Sequence, residues 1–556
     1  MLTQEQVFDF IGRSIPRKDG VLKVTGKAVY TSDVWIPGML YGRILKSPFA
    51  HAIIKRIDTS EAEKLGAIVI TYKDVPRKLF NPRLVSIEED TFKDWEILTR
   101  HPKYVGEPIA AVAASNEELA QRALESLRIE VEKVFKPILD PFEAMKPNAP
   151  KIHEKILRGN TEVEVRNNVG ATFEYSEGDV DRAFKEADVV IERRFKTNRR
   201  YHFTLEPKCA VCRPDPDGGI TVWTTTQTIH NTKILISQLF DIPQSKVRVV
   251  KTFLGGGFGS SIHVNLVTLI TVALCLKARK PVKIALTREE DMMHDHVSFQ
   301  MYMRIKAGAK KDGTIVAGEF ENIMDIGAHQ IQAYPLLGTA LGWFVSLYKW
   351  RNIRYVGKAV YTNKVPSCAF RGYGNPQVTW AVETVIDELA EELGIDPVEF
   401  RLKNVLKPGS YTITNQKLNH SVGVGEALRL VALKADWSRK YGEYGKGVGR
   451  FRRGIGVACA WHGISTSRGV PDWSNAIVKI EKDGSVHVFT GIVEMGQGSP
   501  TTSHIQIVSE VLGIPTDLIN MYHGSSDAPD TGATHASRGT SIGAIGVLVA
   551  AAKLRE

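Results

Sequence analysis

The chain has 556 residues, 43% of them apolar and 24% charged, with a formal net charge of +10. That length allows two to four domains, and the composition is that of an ordinary globular protein rather than a disordered or fibrous one. The longest apolar stretch, 264–276, is broken by Asn265, Thr268 and Thr271 and falls short of the about 20 residues that cross a bilayer. The opening residues show no cationic segment followed by an apolar block, so no secretory leader is expected. Five cysteines, few and odd in number, point to a reducing, cytoplasmic setting and away from a disulfide framework.

In chain order, the first 135 residues read as a compact α+β module. "YGRILKSP" and "HAIIKRID" are strands, Ser60 and Glu63 have capping-box spacing at the head of a short helix, and "AIVITYKDV" is a further strand. "EPIAAVAAS" follows as a strand, then a helix over "NEELAQRALESL" opened by Ser115 and Glu118, then the strand "RIEVEKV". Residues 136–160 form a proline-rich linker. A larger unit over 161–430 brings a strand and helix in "GGITVWTTTQTIHNTKILISQLFDIP", a buried strand "SKVRVVKTFL", the loop "GGGFG", a helix over 262–277 and a strand "PVKIALT". Gly394 is placed to end the helix of "PQVTWAVETVIDELAEELG", and Asp396–Pro397 open the next. Residues 431–556 repeat the theme. A hairpin turns at Asp483-Gly484, and "EMGQGSPTTSHIQIVSEVLG" leads from a glycine loop into a helix.

Cys209 and Cys212 form a C-x-x-C inside a strand, where residues three apart face opposite ways, and no second pair completes a cluster site. The basic run 192–203 lies on no recognisable nucleic-acid motif and reads as a solvated strand face. The glycine loops carry more. "GGGFGS" has Ser260 where a dinucleotide fingerprint needs its last glycine, and no acid follows at the ribose distance. No lysine follows to make a P-loop. Four further stretches, "TTQTIHN", "PSCAFRGYGNPQ", "EMGQGSPTTSHIQ" and "THASRGTSIGA", join small residues to amide, hydroxyl or guanidinium groups. Such donors suit a large polar cofactor with a phosphate tail, held without covalent ligation.

These five motifs, in this order, closely resemble the molybdenum-cofactor subunit of the xanthine dehydrogenase and aldehyde oxidase family, from "IGRSIPRKDGVLKVTGKAVYTSDV" almost to the end of the chain. The resemblance implies an α+β architecture: an N-terminal a/b hammerhead domain, then a two-part molybdopterin-binding region that is incomplete at its C-terminal end. Carried over by motif, Gln227 hydrogen-bonds an oxygen ligand of molybdenum, and Gly256, Gly257, Phe258 and Gly259 bring backbone N–H groups to the metal's ligands. Arg371 orients substrate and, with Gln227 and Phe258, makes the catalytic set; Tyr373 lines the pocket. Gly496, Gln497 and Gly498 bind the pterin, and Ala536, Ser537, Arg538 and Thr540 contact pterin and phosphate. The protein itself ligates no metal: molybdenum is held through the molybdopterin, in bacterial relatives often as the cytosine dinucleotide form.

The implied reaction is hydroxylation of an aromatic N-heterocycle or aldehyde with water as oxygen source. Electrons pass to partner chains carrying 2Fe–2S clusters and FAD. Two positions depart from the family pattern. The family's glutamate base lies in a G-x-G-E stretch absent from this sequence; Glu494 and Glu206 are the nearest acids and neither matches, so a second molybdopterin-binding chain is expected to supply it. Ile262 stands where purine-oxidising members have a pocket glutamate, which disfavours xanthine. A 4-hydroxybenzoyl-CoA reductase-like subunit and a non-catalytic cofactor-binding component are the alternative readings.

Overall fold

The computed structural model describes residues 8–83, 91–294, 296–444, 450–465 and 471–556; the first seven residues, part of the segment read as lacking a leader, lie outside them. Its largest sheet has seven strands in the order Val247–Val250, Ile220–Thr224, Cys209–Pro214, Val282–Ala285, Leu40–Lys46, Pro108–Ala114 and Ile68–Thr71. The two halves join where Leu40 pairs in parallel with Val282. The N-terminal module is therefore continuous with the unit that follows it, and its loops reach the same region of the molecule as that unit's loops.

Periodicity explains the rest. Pro108–Ala114 is buried throughout, as a central strand covered on both faces should be. The helix Leu266–Ala278 is apolar all round and packs inside, with ten of its side chains buried. It starts four residues later than the expected 262, because Ile262 to Asn265 form the loop that carries the "GGGFG" segment into the core. A second sheet, Val189–Lys196, Gln300–Ala309, Ile315–Gly327, Asn352–Tyr361 and Val169–Glu177, has a hairpin turn at "KKDGT", residues 310–314, between its second and third strands. A third, Ala476–Ile480, Val486–Thr490 and Ile519–Tyr522, supports the C-terminal glycine loop. The linker holds a short helix, Pro141–Ala144, and a strand, Lys155–Arg158.

Two capping expectations are corrected. Thr59, with no side-chain cap bond, precedes the helix Ser60–Lys64, and its hydroxyl donates to Glu63 instead. Asn116, not Ser115, caps Glu117–Ser126, accepting from the Leu119 amide at 2.8 Å. Asparagine and serine are comparable N-caps, and Asn116 is the one adjacent to the first helical residue. Cys209 and Cys212 are both buried in their strand as free thiols.

A buried ionic cluster ties the N-terminal module to the second sheet. His329 Nε2 lies 2.6 Å from Glu107 Oε1, and its Nδ1 faces the Asp94 carbonyl at 3.0 Å. Burial opposes charge on this ring, but the carboxylates of Glu107 and Asp94 outweigh it and hold its pKa up at about 9. Among the described residues no helix is long and apolar enough to cross a membrane.

Candidate active site

Three of the five motifs meet at Gly257. A Cβ placed there would lie 2.6 Å from Gln227 Oε1 and 2.7 Å from Met495 Sδ, so only glycine lets "TTQT", "GGGFG" and "EMGQG" close on one another. The fourth joins at Gly259, where a Cβ would meet the Ala369 carbonyl at 2.5 Å; the Arg371 amide returns the contact by donating to the Phe258 carbonyl at 2.9 Å. The fifth arrives through Gln227. Its Nε2 donates to the Thr534 carbonyl at 2.9 Å, its Oε1 accepts the Gly259 amide at 3.3 Å, and its carbonyl accepts the Thr534 amide at 3.1 Å. Residues scattered over three hundred positions of sequence thus form one cleft.

The backbone is strained where the motifs meet. Phe258, Tyr373, Ala536 and Ser537 all have φ between 49° and 54°, the left-handed region that side chains avoid. Each such residue costs roughly 1–3 kcal/mol and persists where the surroundings impose it, as at binding sites. The result at the glycine loop is a row of donors. The Gly255 amide is spent on Glu206 at 2.7 Å and that of Gly259 on Gln227. The amides of Gly256, Gly257 and Phe258 have no acceptor among the described residues. Three consecutive unspent N–H groups make an anion- or oxygen-binding nest.

Gln497 folds back on its own turn, accepting from the Met495 amide at 2.8 Å and donating to the Val493 carbonyl at 2.9 Å. Glu494 organises this turn. Its Oε1 accepts from the amides of Gly496 at 2.6 Å and Gly498 at 3.0 Å and from Arg17 at 3.2 Å, and Oε2 accepts from Thr501 at 3.2 Å. The Arg538 guanidinium turns inward, to the carbonyls of Thr531, Ala533 and Trp473 and to Asp472 at 2.5 Å, and so holds the "ASRGT" loop. Thr540 bonds Ser503 across the two loops at 3.0 Å. The amides of Gly539 and Thr540, just ahead of the helix Ile542–Arg555, have no acceptor among the described residues.

Of the residues expected to meet substrate, Phe258 is 43% exposed and Arg371 is exposed, with no side-chain partner among the described residues. Asp387, a potential ion-pair partner for Arg371, is taken by Arg401 at 2.7 Å. The Tyr373 hydroxyl donates to the Gln332 carbonyl at 3.2 Å, and burial raises its pKa. Ile262 lies in the core behind the loop. Burial lifts the Glu206 carboxyl to about 7 against the opposing bonds from Gly255 and Thr31. Its two oxygens are occupied by those amides.

Among the described residues the donor set is neutral amides, hydroxyls and unspent backbone N–H groups, with one free guanidinium and no cysteine or lysine ligand. It fits a polar, phosphate-bearing cofactor held by hydrogen bonds. Thr534, Met495, Glu494 and Arg17 are the supporting residues that sequence reasoning missed. Only Glu494 carried a signal, as an acid beside the glycines.

Comparison with known proteins agrees. Residues 25–134 match the aldehyde oxidase and xanthine dehydrogenase a/b hammerhead domain, and residues 161–405 and 430–556 match molybdopterin cofactor-binding domains. The chain is 30% identical to the xanthine dehydrogenase molybdenum-binding subunit of Escherichia coli O157:H7, over 97% of this chain and 71% of that one. It is 32% identical to the nicotinate dehydrogenase large molybdopterin subunit of Eubacterium barkeri, over 77% of this chain and 97% of that one. The fold superposes on quinoline 2-oxidoreductase from Pseudomonas putida 86 with a TM-score of 0.88 and 26% identity, covering 99% of this chain and 71% of that one. With this cleft and these likenesses, the chain belongs to the aldehyde oxidase and xanthine dehydrogenase family of molybdenum-dependent oxidoreductases.

Proposed function

We propose that the chain is the catalytic molybdopterin subunit of a hydroxylase acting on an aromatic N-heterocycle or an aldehyde, with water as oxygen source. The carrying observation is the row of unspent amides at Gly256, Gly257 and Phe258 beside Gln227 and Arg371. When bound, the molybdenum–pterin cofactor supplies a two-electron oxidation of the substrate carbon. The chain's own residues do the rest. Gln227 fixes two loops at a set separation. The three amides stand where negative charge develops, and one such preorganised donor is typically worth roughly 2.7–4 kcal/mol. The Arg371 guanidinium orients the substrate, and the Phe258 and Tyr373 rings wall the pocket against water. Ile262 brings no carboxylate to the cleft, which argues against a purine.

The turn held by Glu494 and the amides of Gly539 and Thr540 would receive pterin and phosphates, with the cofactor in its cytosine dinucleotide form. Iron–sulfur and flavin chains would take the electrons. A proton must also leave the reacting centre. Glu494 and Glu206 are both engaged with backbone amides, so a carboxylate from a second molybdopterin chain is the proposed base. The name of the Eubacterium relative, a large molybdopterin subunit, is in keeping with such a division. Turnover of quinoline and benzaldehyde by the purified complex in ¹⁸O-labelled water tests the reading. Product labelled from water supports it, and oxygen drawn from O₂ would refute it.

A further inference from the structure

Two fully buried arginines are paired with carboxylates. Arg401 has Glu383 at 2.9 Å and Asp387 at 2.7 Å, and Arg538 has Asp472 at 2.5 Å. Arg83 differs from both. It comes from the N-terminal module and reaches between the loops of the cleft. With the Gln332 carboxamide turned so that its oxygen faces Arg83, Oε1 accepts from Nε at 2.5 Å and from Nη1 at 3.2 Å. Nη2 lies 3.3 Å from His535 Nε2. Gln332 is neutral. Burial and the charges of Arg83 and Arg538 keep the His535 pKa well below the usual imidazole value, so that ring is neutral as well. The other ionisable neighbours are Tyr373 and Cys368. No carboxylate pairs with Arg83 among the described residues.

A guanidinium has five N–H donors, and Arg83 spends three on these partners. An unpaired charge taken from water is costly and is kept where something else neutralises it. Arg83 is packed deeply enough for desolvation to depress its pKa, yet the residue remains partly exposed. A deep but accessible cation faces a cleft rather than the core. Its neighbours locate that cleft. Gln332 also accepts from the Tyr373 hydroxyl through its carbonyl, and His535 follows Thr534, which holds Gln227. Arg83 therefore stands beside Tyr373 at the expected substrate pocket, with two donors in hand and a planar fork suited to a carboxylate.

We propose that Arg83 binds a carboxylate of the substrate, which narrows the substrate class to aromatic N-heterocycles or aldehydes that carry a carboxylate. This rests on the reading of the cleft as a substrate site. An oxyanion could also be a phosphate of the cofactor, and the test separates the two. Benzoate and benzamide, alike in shape and different in charge, are titrated into the wild-type holoenzyme by calorimetry, with no turnover required. Benzoate should bind at least about tenfold more tightly, the scale of one charge-assisted fork. In Arg83→Gln that preference should vanish while molybdenum content stays at the wild-type level, and Arg83→Lys, which keeps the charge, should retain part of it. Equal binding of the two probes by the wild type overturns the proposal. So does an Arg83→Gln variant that loses molybdenum but keeps the preference, because the anion would then belong to the cofactor. Absence of molybdenum from the wild type would instead count against the hydroxylase reading itself.

Discussion

Gly257→Ala tests the convergence of the motifs directly. The backbone there is not in the left-handed region, so alanine brings no conformational strain and the effect is purely steric. The added methyl would stand 2.6 Å from Gln227 Oε1 and 2.7 Å from Met495 Sδ, against ordinary contact at 3.4 Å or more. Both neighbours must yield, Gln227 by about 0.8 Å and Met495 by about 0.7 Å. Met495 ends in a flexible thioether and gives way first. Gln227 is pinned by Thr534 and Gly259, and moving it breaks the 3.3 Å bond to the Gly259 amide. Overpacking costs roughly 1–3 kcal/mol, and a lost hydrogen bond adds about 1 kcal/mol. That is small against the stability of a chain this size but large at the cleft, where a misplacement of about 1 Å can cost 10²-fold in rate. The variant should therefore fold, melt within a few degrees of wild type, and lose about 10²-fold in turnover per bound molybdenum. Melting is read by scanning calorimetry and metal by mass spectrometry. Turnover within twofold of wild type per molybdenum would show that the loops do not meet as described.

Three further outcomes follow from the same geometry. Glu494→Ala strips an acceptor from two glycine amides, Thr501 and Arg17, at about 1.5–3 kcal/mol per charge-assisted bond. It should purify with little molybdenum, while Glu494→Gln keeps part of it; full metal in the alanine variant would show the turn to be self-supporting. Arg371→Ala should lower kcat about 10²–10³-fold with metal content unchanged, and an unaltered kcat would remove Arg371 from the reaction. The His329 cluster makes stability depend on pH. The folded pKa of about 9 exceeds the unfolded value of about 6.5, so the contribution is full below about pH 6.5, declines between these values and is gone above about 9. The melting temperature should fall from pH 7 to 9.5, and His329→Gln should flatten that slope; an identical slope in the variant would place its origin elsewhere.

The loops of the cleft were legible because each announces itself locally. Glycines beside an amide or a guanidinium recur in a fixed order, and the strand–loop–helix pattern around "GGGFG" and "EMGQG" reads from period and punctuation alone. What could not be read is what the loops do to one another. Gln227 spends its side chain on Thr534, 307 positions away, and Arg538 also clamps its own loop, because nothing in "ASRGT" shows which carbonyls lie behind it. Arg83 carries no signal at all. It is one arginine after a proline in the first module, brought to the cleft by long-range ties such as the Val264 amide on the Pro82 carbonyl at 2.7 Å and the Leu40–Val282 pairing. The caps misread at Ser60 and Ser115 have a local cause: the helix starts one residue off the expected frame, at Ser60 itself after Thr59 and at Glu117 after Asn116.

The central claim is that this chain holds a molybdenum cofactor through these loops, and metal and pterin content of the catalytically active complex measures it most directly. The account predicts about one molybdenum and one pterin per copy of the chain, both lost in Glu494→Ala. Active material containing neither molybdenum nor tungsten would contradict it.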